Sequence, residues 1–323
     1  LLTFNEDNND LLEEFKAKDI PIKSFNLKKD GFNKYFRILY LSFILCRKYK
    51  PFAILSFPFG WHSLVSIAAK LAGVKNICTH AGNLAPKFDS SNFWKFNILV
   101  QIGRPFTKKI ICCSKYVKKS VLDSFYLSKS ELSHIYNSYN EELFSFKENF
   151  TKKIQKASLE KTIVLCMVAR LEMHKDQESL IKAIKILKER NYKIKLLLIG
   201  GGSLREYLER LTLNLNLYNE IFFLGAINNV HDNLDDVDIF VFSTTKDEGF
   251  GIALVEAMGK GIPIIASNVG SCSEVLLNGK CGLLFDSKSP YSIARAVENV
   301  INNKKSTYQR ILSAYNHASK NFT

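Results

Sequence analysis

From residue 163 onward the chain alternates short, largely apolar runs with longer stretches whose apolar residues recur every three or four positions, a grammar that few architectures accept. The runs 163–168, 194–199, 221–224, 238–242 and 262–266 read as strands, and 177–189, 204–215 and 252–258 read as helices. A strand that is apolar on both faces needs cover on both. Interleaved amphipathic helices provide it, which implies an α/β fold with a parallel sheet. The first half repeats the pattern less completely, with strands expected at 21–27, 52–57, 76–79 and 109–113 and helices at 32–49, 61–71 and 117–125. A polar, aperiodic stretch at 141–160 reads as the connection between two halves, and 323 residues suffice for two such cores. Ligands of these sheets gather beyond the carboxyl ends of the strands.

The run KDEGFGIALVEAMGKGIPIIAS places Glu248, Gly249, Phe250, Gly251 and Ile252 between a buried strand and a helix, with Glu256 on that helix. Free amides and the positive dipole end at a helix start suit a diphosphate, and the glycines let backbone approach it closely. Carboxylates there would repel phosphate. They are better suited to accept hydrogen bonds from neutral hydroxyls: Glu248 from a transferred sugar, Glu256 from the vicinal hydroxyls of a ribose. The structural alternative is that the helix dipole alone favours acids near a helix start.

Further candidates lie in other strand-to-helix loops. Arg170 and Lys175 follow the strand 163–168, where two cations can neutralise a diphosphate, although exposed charges usually need no function. Gly200, Gly201 and Gly202 follow 194–199 without the third spaced glycine of a dinucleotide fingerprint, which weakens a nicotinamide reading. Asp236, Val237 and Asp238 spell D-x-D, but the triplet leads into a buried strand and reads as turn residues rather than metal ligands. In the first half His80 ends the strand 76–79, at the edge where ligands gather.

The glutamate pair with its glycines closely resembles the donor-site signature of family 4 retaining glycosyltransferases of GT-B fold. That resemblance implies two Rossmann-like domains facing across a cleft. The acceptor-side domain is expected at 1–145, with its first strand and glycine-rich loop missing, and the donor domain at 146–303. A carboxy-terminal helix at 304–323 returns toward the first domain. The resemblance also puts Arg170 and Lys175 on the donor phosphates, Gly201 and Gly202 beside the nucleotide, and His80 near the reacting sugar. CSKYVKKSV, and IYNSYN around Asn137, look like the family's closing segments of the first domain. The expected function is transfer of a sugar from a nucleoside diphosphate sugar, UDP-linked ahead of GDP-linked, to a glycan or lipid-linked acceptor in bacterial surface polysaccharide synthesis. No tightly bound cofactor and no metal are expected. The rival readings are a truncated nucleotide-sugar-binding module and a nucleotide-sugar epimerase of GT-B fold.

The remaining composition fits this reading. Seven cysteines, an odd number without C-x-x-C spacing, read as small core residues in a reducing compartment. The net charge of +14 has clusters at Lys28 and Lys29, at Arg47, Lys48 and Lys50, at Lys108 and Lys109, and from Lys115 to Lys119. All fall in the first half, an asymmetry that suits a domain facing an anionic membrane or a lipid-linked acceptor better than base recognition, so nucleic acid is not an expected partner. The apolar stretch 35–46 carries Arg37 and has the length of a core or interfacial helix. The expected location is cytoplasmic, free or peripheral on the inner membrane face. The donor sugar, the acceptor, the linkage and the oligomeric state stay open.

Overall fold

The computed structural model describes residues 1–4, 12–25, 27, 33–57, 59–144, 146 and 162–323. The chain divides into two units, Leu1–Cys112 with Ser120–Ser133, and Cys113–Lys119 with His134–Thr323. Most of the connection expected at 141–160 lies outside the described residues.

In the first unit, β1 (Leu2–Thr3) and β2 (Lys23–Ser24) form a short parallel pair. Among the described residues β2 is much shorter than the strand expected at 21–27, and Pro21 has no amide to give a ladder there. A four-stranded sheet follows in the order β3 (Ala53–Ser56), β4 (Asn76–Ala81), β5 (Lys109–Cys112) and β6 (Leu132–His134). β4 runs two residues past the expected end at 79, because β5 pairs with it through His80 and Ala81. The helices Asn33–Tyr49, His62–Leu71 and Lys115–Phe125 fall close to their expected places. The helix Phe93–Gly103 escaped the sequence reading, since it is apolar nearly all round and shows little period.

The second unit carries six parallel strands: β7 (Ile163–Val168), β8 (Ile194–Ile199), β9 (Ile221–Gly225), β10 (Ile239–Phe242), β11 (Ile264–Ser267) and β12 (Leu283–Phe285). Their spatial order is β12-β11-β10-β7-β8-β9. Counted from β7, this is the doubly wound order 3-2-1-4-5-6. The wholly buried sequences of β10 and β11, IFVF and IIAS, show why the sheet reads as continuous apolar runs. β11 begins two residues later than expected because Pro263 has no amide; its carbonyl accepts from the Phe240 amide at 2.8 Å just ahead of the strand. One core joins Leu165, Met167, Leu196, Val241 and Ile265 of the sheet to Leu180, Ile184 and Leu187 of the Gln177–Glu189 helix and to Ile293, Val297 and Val300 of Pro290–Asn302.

Two earlier stretches of chain are built into this second unit. Ser114 donates to the Gly249 carbonyl at 2.8 Å, and the amides of Lys115 and Tyr116 both donate to Glu274 at 2.8 Å, so a carboxylate caps the start of the Lys115–Phe125 helix. Tyr136 stacks on Phe250, and the Tyr139 amide donates to the Phe322 carbonyl at 2.9 Å, beyond the terminal helix Lys304–Asn321.

The turn after β8 packs against the turn after β7 with no room for side chains. A Cβ on Gly200, whose φ is +135°, would meet the Ala169 carbonyl oxygen at 2.1 Å, whereas one on Gly201 would meet nothing within 4 Å. Gly200→Ala is therefore expected to destabilise the protein by about 2 kcal/mol or more, and Gly201→Ala to stay within about 0.5 kcal/mol. Urea denaturation of the two variants checks this, and equal midpoints would contradict it.

Candidate active site

In the doubly wound order of the second unit the sheet reverses its winding between β7 and β10, and the loops leaving their carboxyl ends diverge. Arg170 and Lys175 follow β7, and Glu248 to Ile252 follow β10. The fold thus brings the expected cations and the expected acid to one edge. Asp236 and Asp238 sit at the opposite, amino-terminal end of β10, where Asp238 accepts from the Val164 amide at 2.9 Å.

Lys175 and Glu248 form a direct ion pair, with side chains only 13% and 10% exposed. Lys175 also lies 5.2 Å over the Phe242 ring, and Thr244 donates to the same carboxylate at 3.4 Å. The loop carrying Lys175 is fixed to β10: the His174 carbonyl accepts from the Thr245 amide and the Thr244 hydroxyl, each at 2.9 Å. Asp176 locks the turn. It adopts the left-handed conformation that Asp tolerates, accepts from Ser179 at 2.8 Å and from the Lys288 amide at 3.2 Å, and takes Ser243 at its carbonyl. Burial raises its carboxyl pKa, with those hydrogen bonds pulling the other way. Burial first and Lys175 second hold the His174 imidazole toward its neutral form. Arg170, by contrast, is exposed, and among the described residues only its carbonyl is engaged, by Gln177 at 2.9 Å and by the Glu172 amide at 3.0 Å. The Gln177 oxygen Oε1 is buried without a partner among the described residues.

Gly251 takes a left-handed φ of +92° against the Phe242 ring and turns the chain into the helix Ile252–Lys260. Leu254 and Val255 donate back to the Gly251 carbonyl, but the amides of Gly251, Ile252 and Ala253 find no acceptor among the described residues. The Phe250 side chain is committed to packing, 3% exposed between Tyr136 and Phe322, so only its backbone faces other duties, and its amide donates to Glu248 at 3.4 Å. Along the helix Leu254, Val255, Ala257 and Met258 are buried, while Ile252, Ala253 and Glu256 share the open face. Glu256 therefore lies one turn beyond the free amides on their own side, about 6 Å along the axis. It has no hydrogen-bond or ion-pair partner among the described residues, and burial pushes its carboxyl up to about 7.

The other candidates occupy different roles. Gly201 donates nothing to packing by a side chain, but its carbonyl accepts from the Leu171 amide at 2.9 Å, and Gly202 would place a Cβ 2.4 Å from the Leu171 oxygen. Glu172 clamps the same turn by accepting from the Ser203 amide and hydroxyl. His80 lies in the first unit, half-buried within β4 against Phe57, and burial favours its neutral form. Asp176, Thr244 and Gln177 were missed by sequence reasoning. The D-x-x-S spacing of Asp176 and Ser179 at a helix start was the available signal.

Residues 148–317 match the family described as Glycosyl transferases group 1, just over half of the chain. An uncharacterised glycosyltransferase of Methanocaldococcus jannaschii is 36% identical over 160 residues, 48% of this chain and 39% of that protein. A GDP-mannose-dependent alpha-(1-6)-phosphatidylinositol monomannoside mannosyltransferase of Mycobacterium tuberculosis is 30% identical over 150 residues, 44% of this chain and 39% of that protein. The matched segments thus span about two fifths of these relatives. Among solved structures, HepE of Anabaena in complex with UDP-glucose has a TM-score of 0.83 at 19% identity, over 99% of this chain and 87% of that one, a likeness of GT-B fold.

Two expectations follow from the geometry. Glu256 titrates near 7 in the folded chain and near the ordinary 4.5 when unfolded, so the folded state holds the extra proton and stability falls as pH rises through that window. Glu256→Gln should therefore raise stability at pH ~8, by on the order of 2 kcal/mol, and change little at pH ~4. Thermal melts at the two pH values decide it. Lys175→Met strands a buried carboxylate and should cost about 3 kcal/mol, part of which the Lys175→Met, Glu248→Gln double variant recovers. Strict additivity in denaturant unfolding would contradict the pairing.

Proposed function

Because the chain belongs to the glycosyl transferases group 1 family, we propose that it is a retaining glycosyltransferase of the family 4 type, moving one sugar from a nucleoside diphosphate sugar to a hydroxyl of a glycan or lipid-linked acceptor. The observation that carries this reading is the open helix face at the switch point. Among the described residues three amides without an acceptor and, one turn on, a half-buried carboxylate without a partner open a helix whose preceding loop carries Glu248, itself paired with Lys175. An anion suits the amides, and a pair of neutral hydroxyls suits the carboxylate.

On this reading the amides of Gly251, Ile252 and Ala253 hold the diphosphate, with Arg170 and Lys175 supplying positive charge. As the bond from the sugar to phosphate loosens, negative charge grows on the leaving diphosphate, and fixed donors already aimed there stabilise it without reorganising. Glu256 holds the ribose hydroxyls. Glu248 accepts from a sugar hydroxyl while its pairing with Lys175 keeps it oriented. The incoming hydroxyl attacks from the same face and passes its proton to the departing phosphate, so neither glutamate acts as a covalent nucleophile. His80, from the first unit, is assigned to the reacting sugar and acceptor. The acceptor class, a bacterial surface polysaccharide or its lipid-linked precursor, is part of the same proposal, as are the domain limits 1–145, 146–303 and 304–323.

The donor screen should include both nucleotides, since HepE was crystallised with UDP-glucose and the Mycobacterium tuberculosis relative is named for GDP-mannose. Arg170→Ala, exposed and without structural duty for its side chain, is expected to lower turnover on the order of a hundredfold with little change in donor affinity, whereas Glu256→Ala mainly weakens donor binding. Steady-state kinetics and calorimetry with the preferred donor separate the two. Unchanged turnover in Arg170→Ala, donor binding without any transfer, or interconversion of free donor without acceptor would each overturn the reading.

A further inference from the structure

Glu256 and Lys260 stand four residues apart on the Ile252–Lys260 helix, acid before base, the spacing and order at which such pairs close most readily. A helical side chain also leans toward the turn before it, which directs the lysine stem back along the helix toward the glutamate. The pair nevertheless does not form. Lys260, with a side chain only 3% exposed, turns its ammonium to Asp235 at 2.6 Å and donates to the His231 carbonyl at 2.6 Å. Both partners belong to the connection from β9 to β10, His231 to the short helix Val230–Asn233 and Asp235 to the turn just before β10. That connection is itself fixed. Leu234 and Val237, which flank Asp235, are fully buried, and the Asp235 amide donates to the Asp232 carbonyl at 3.2 Å.

A lysine removed from water needs an opposite charge, and its own helix offers Glu256 one turn away. Asp235 wins that competition, and the consequence falls on Glu256. Burial alone raises its carboxyl. Neither Lys260 on its own helix nor Arg170, Lys175 or Glu248 in the loops at the helix start contributes to that rise. Were Lys260 to close on Glu256, the ammonium would occupy the lone pairs that a ligand's hydroxyls need. We propose that Asp235 is a positioning residue: by holding Lys260 at the amino-terminal end of β10 it keeps the cation off Glu256, so that this carboxylate stays unpaired and open to a ligand. That the ligand offers a pair of ribose hydroxyls rests on the transferase reading; the restraint on Lys260 does not. A simple clamp between the helix end and the β9–β10 connection would use the same contacts, but Glu256 would not respond to its loss.

The test follows the Glu256 carboxyl by carbon-detected NMR of the full chain labelled at the glutamate δ carbons, its signal identified by its loss in Glu256→Gln. In the parent it is expected to titrate near 7. In Asp235→Asn it should titrate roughly one to two pH units lower, as Lys260 swings onto it. In the Asp235→Asn, Lys260→Met double variant it should return to the parent's value, a reversal that a lost clamp would not show. Calorimetry with UDP and with GDP gives the second readout: Asp235→Asn should weaken the tighter of the two on the order of tenfold, and the double variant should recover most of that loss. A parent carboxyl titrating at or below the ordinary 4.5 would show the helical pair closed in solution and overturn the proposal, even where Asp235→Asn fails to fold. An unchanged titration in Asp235→Asn, or a lowered one that persists in the double variant, overturns it as well. Should the titrations run as expected while nucleotide binds equally to parent and Asp235→Asn, or to neither, the restraint on Lys260 stands and the assignment of Glu256 to ribose falls.

Discussion

Everything at the candidate site follows from the reversal of winding between β7 and β10. Neighbouring strands on either side of that line send their connections in opposite directions, so the carboxyl ends of these two strands alone are left with an open notch between their loops. The notch then receives what the loops carry. From β7 come two cations, and from β10 come an acid, a glycine turn and a helix start. Hydrogen bonds from Thr244 and Thr245 to the His174 carbonyl prevent the two loops from drifting apart, so the ion pair between Lys175 and Glu248 forms in a preset frame rather than creating it.

The charge arrangement is economical in what it leaves undone. Among the described residues Glu248 is buried and matched, Glu256 is half-buried and unmatched, and the amides at the helix start are donors without acceptors. An unmatched carboxyl in a dry setting is costly to ionise, and free amides are donors short of a partner. The stability given up at these positions is what a ligand would restore on binding, which is the sense in which functional sites are strained against the fold around them.

Much of this was legible in the chain. The runs of β7 and β10 are apolar throughout, β8 is interrupted only by the exposed Lys195, and the spacing of Glu248, Gly251 and Glu256 needs only the helix period to be placed. What escaped did so for physical reasons. Phe93–Gly103 lacks a polar face, so nothing marks its period. Asp176 and Gln177 act through backbone carbonyls brought near by the sheet, which no local pattern encodes. Phe250, singled out beside the glycines, proved to turn its ring into the core because Tyr136 and Phe322, distant in sequence, close over it.

Order along the chain and order in space part company at Cys113–Lys119. Ser114, Lys115 and Tyr116 reach the Gly249 carbonyl and the Glu274 carboxylate, while Tyr136 covers Phe250. A recombinant fragment cut at the aperiodic stretch after residue 144 would shed all of these. It would retain the six-stranded sheet yet uncover one side of the Phe250 ring in the glycine turn and leave the Glu274 carboxylate without its two amide donors. Dissecting this protein by its linker would therefore damage the very loop a minimal fragment is meant to isolate.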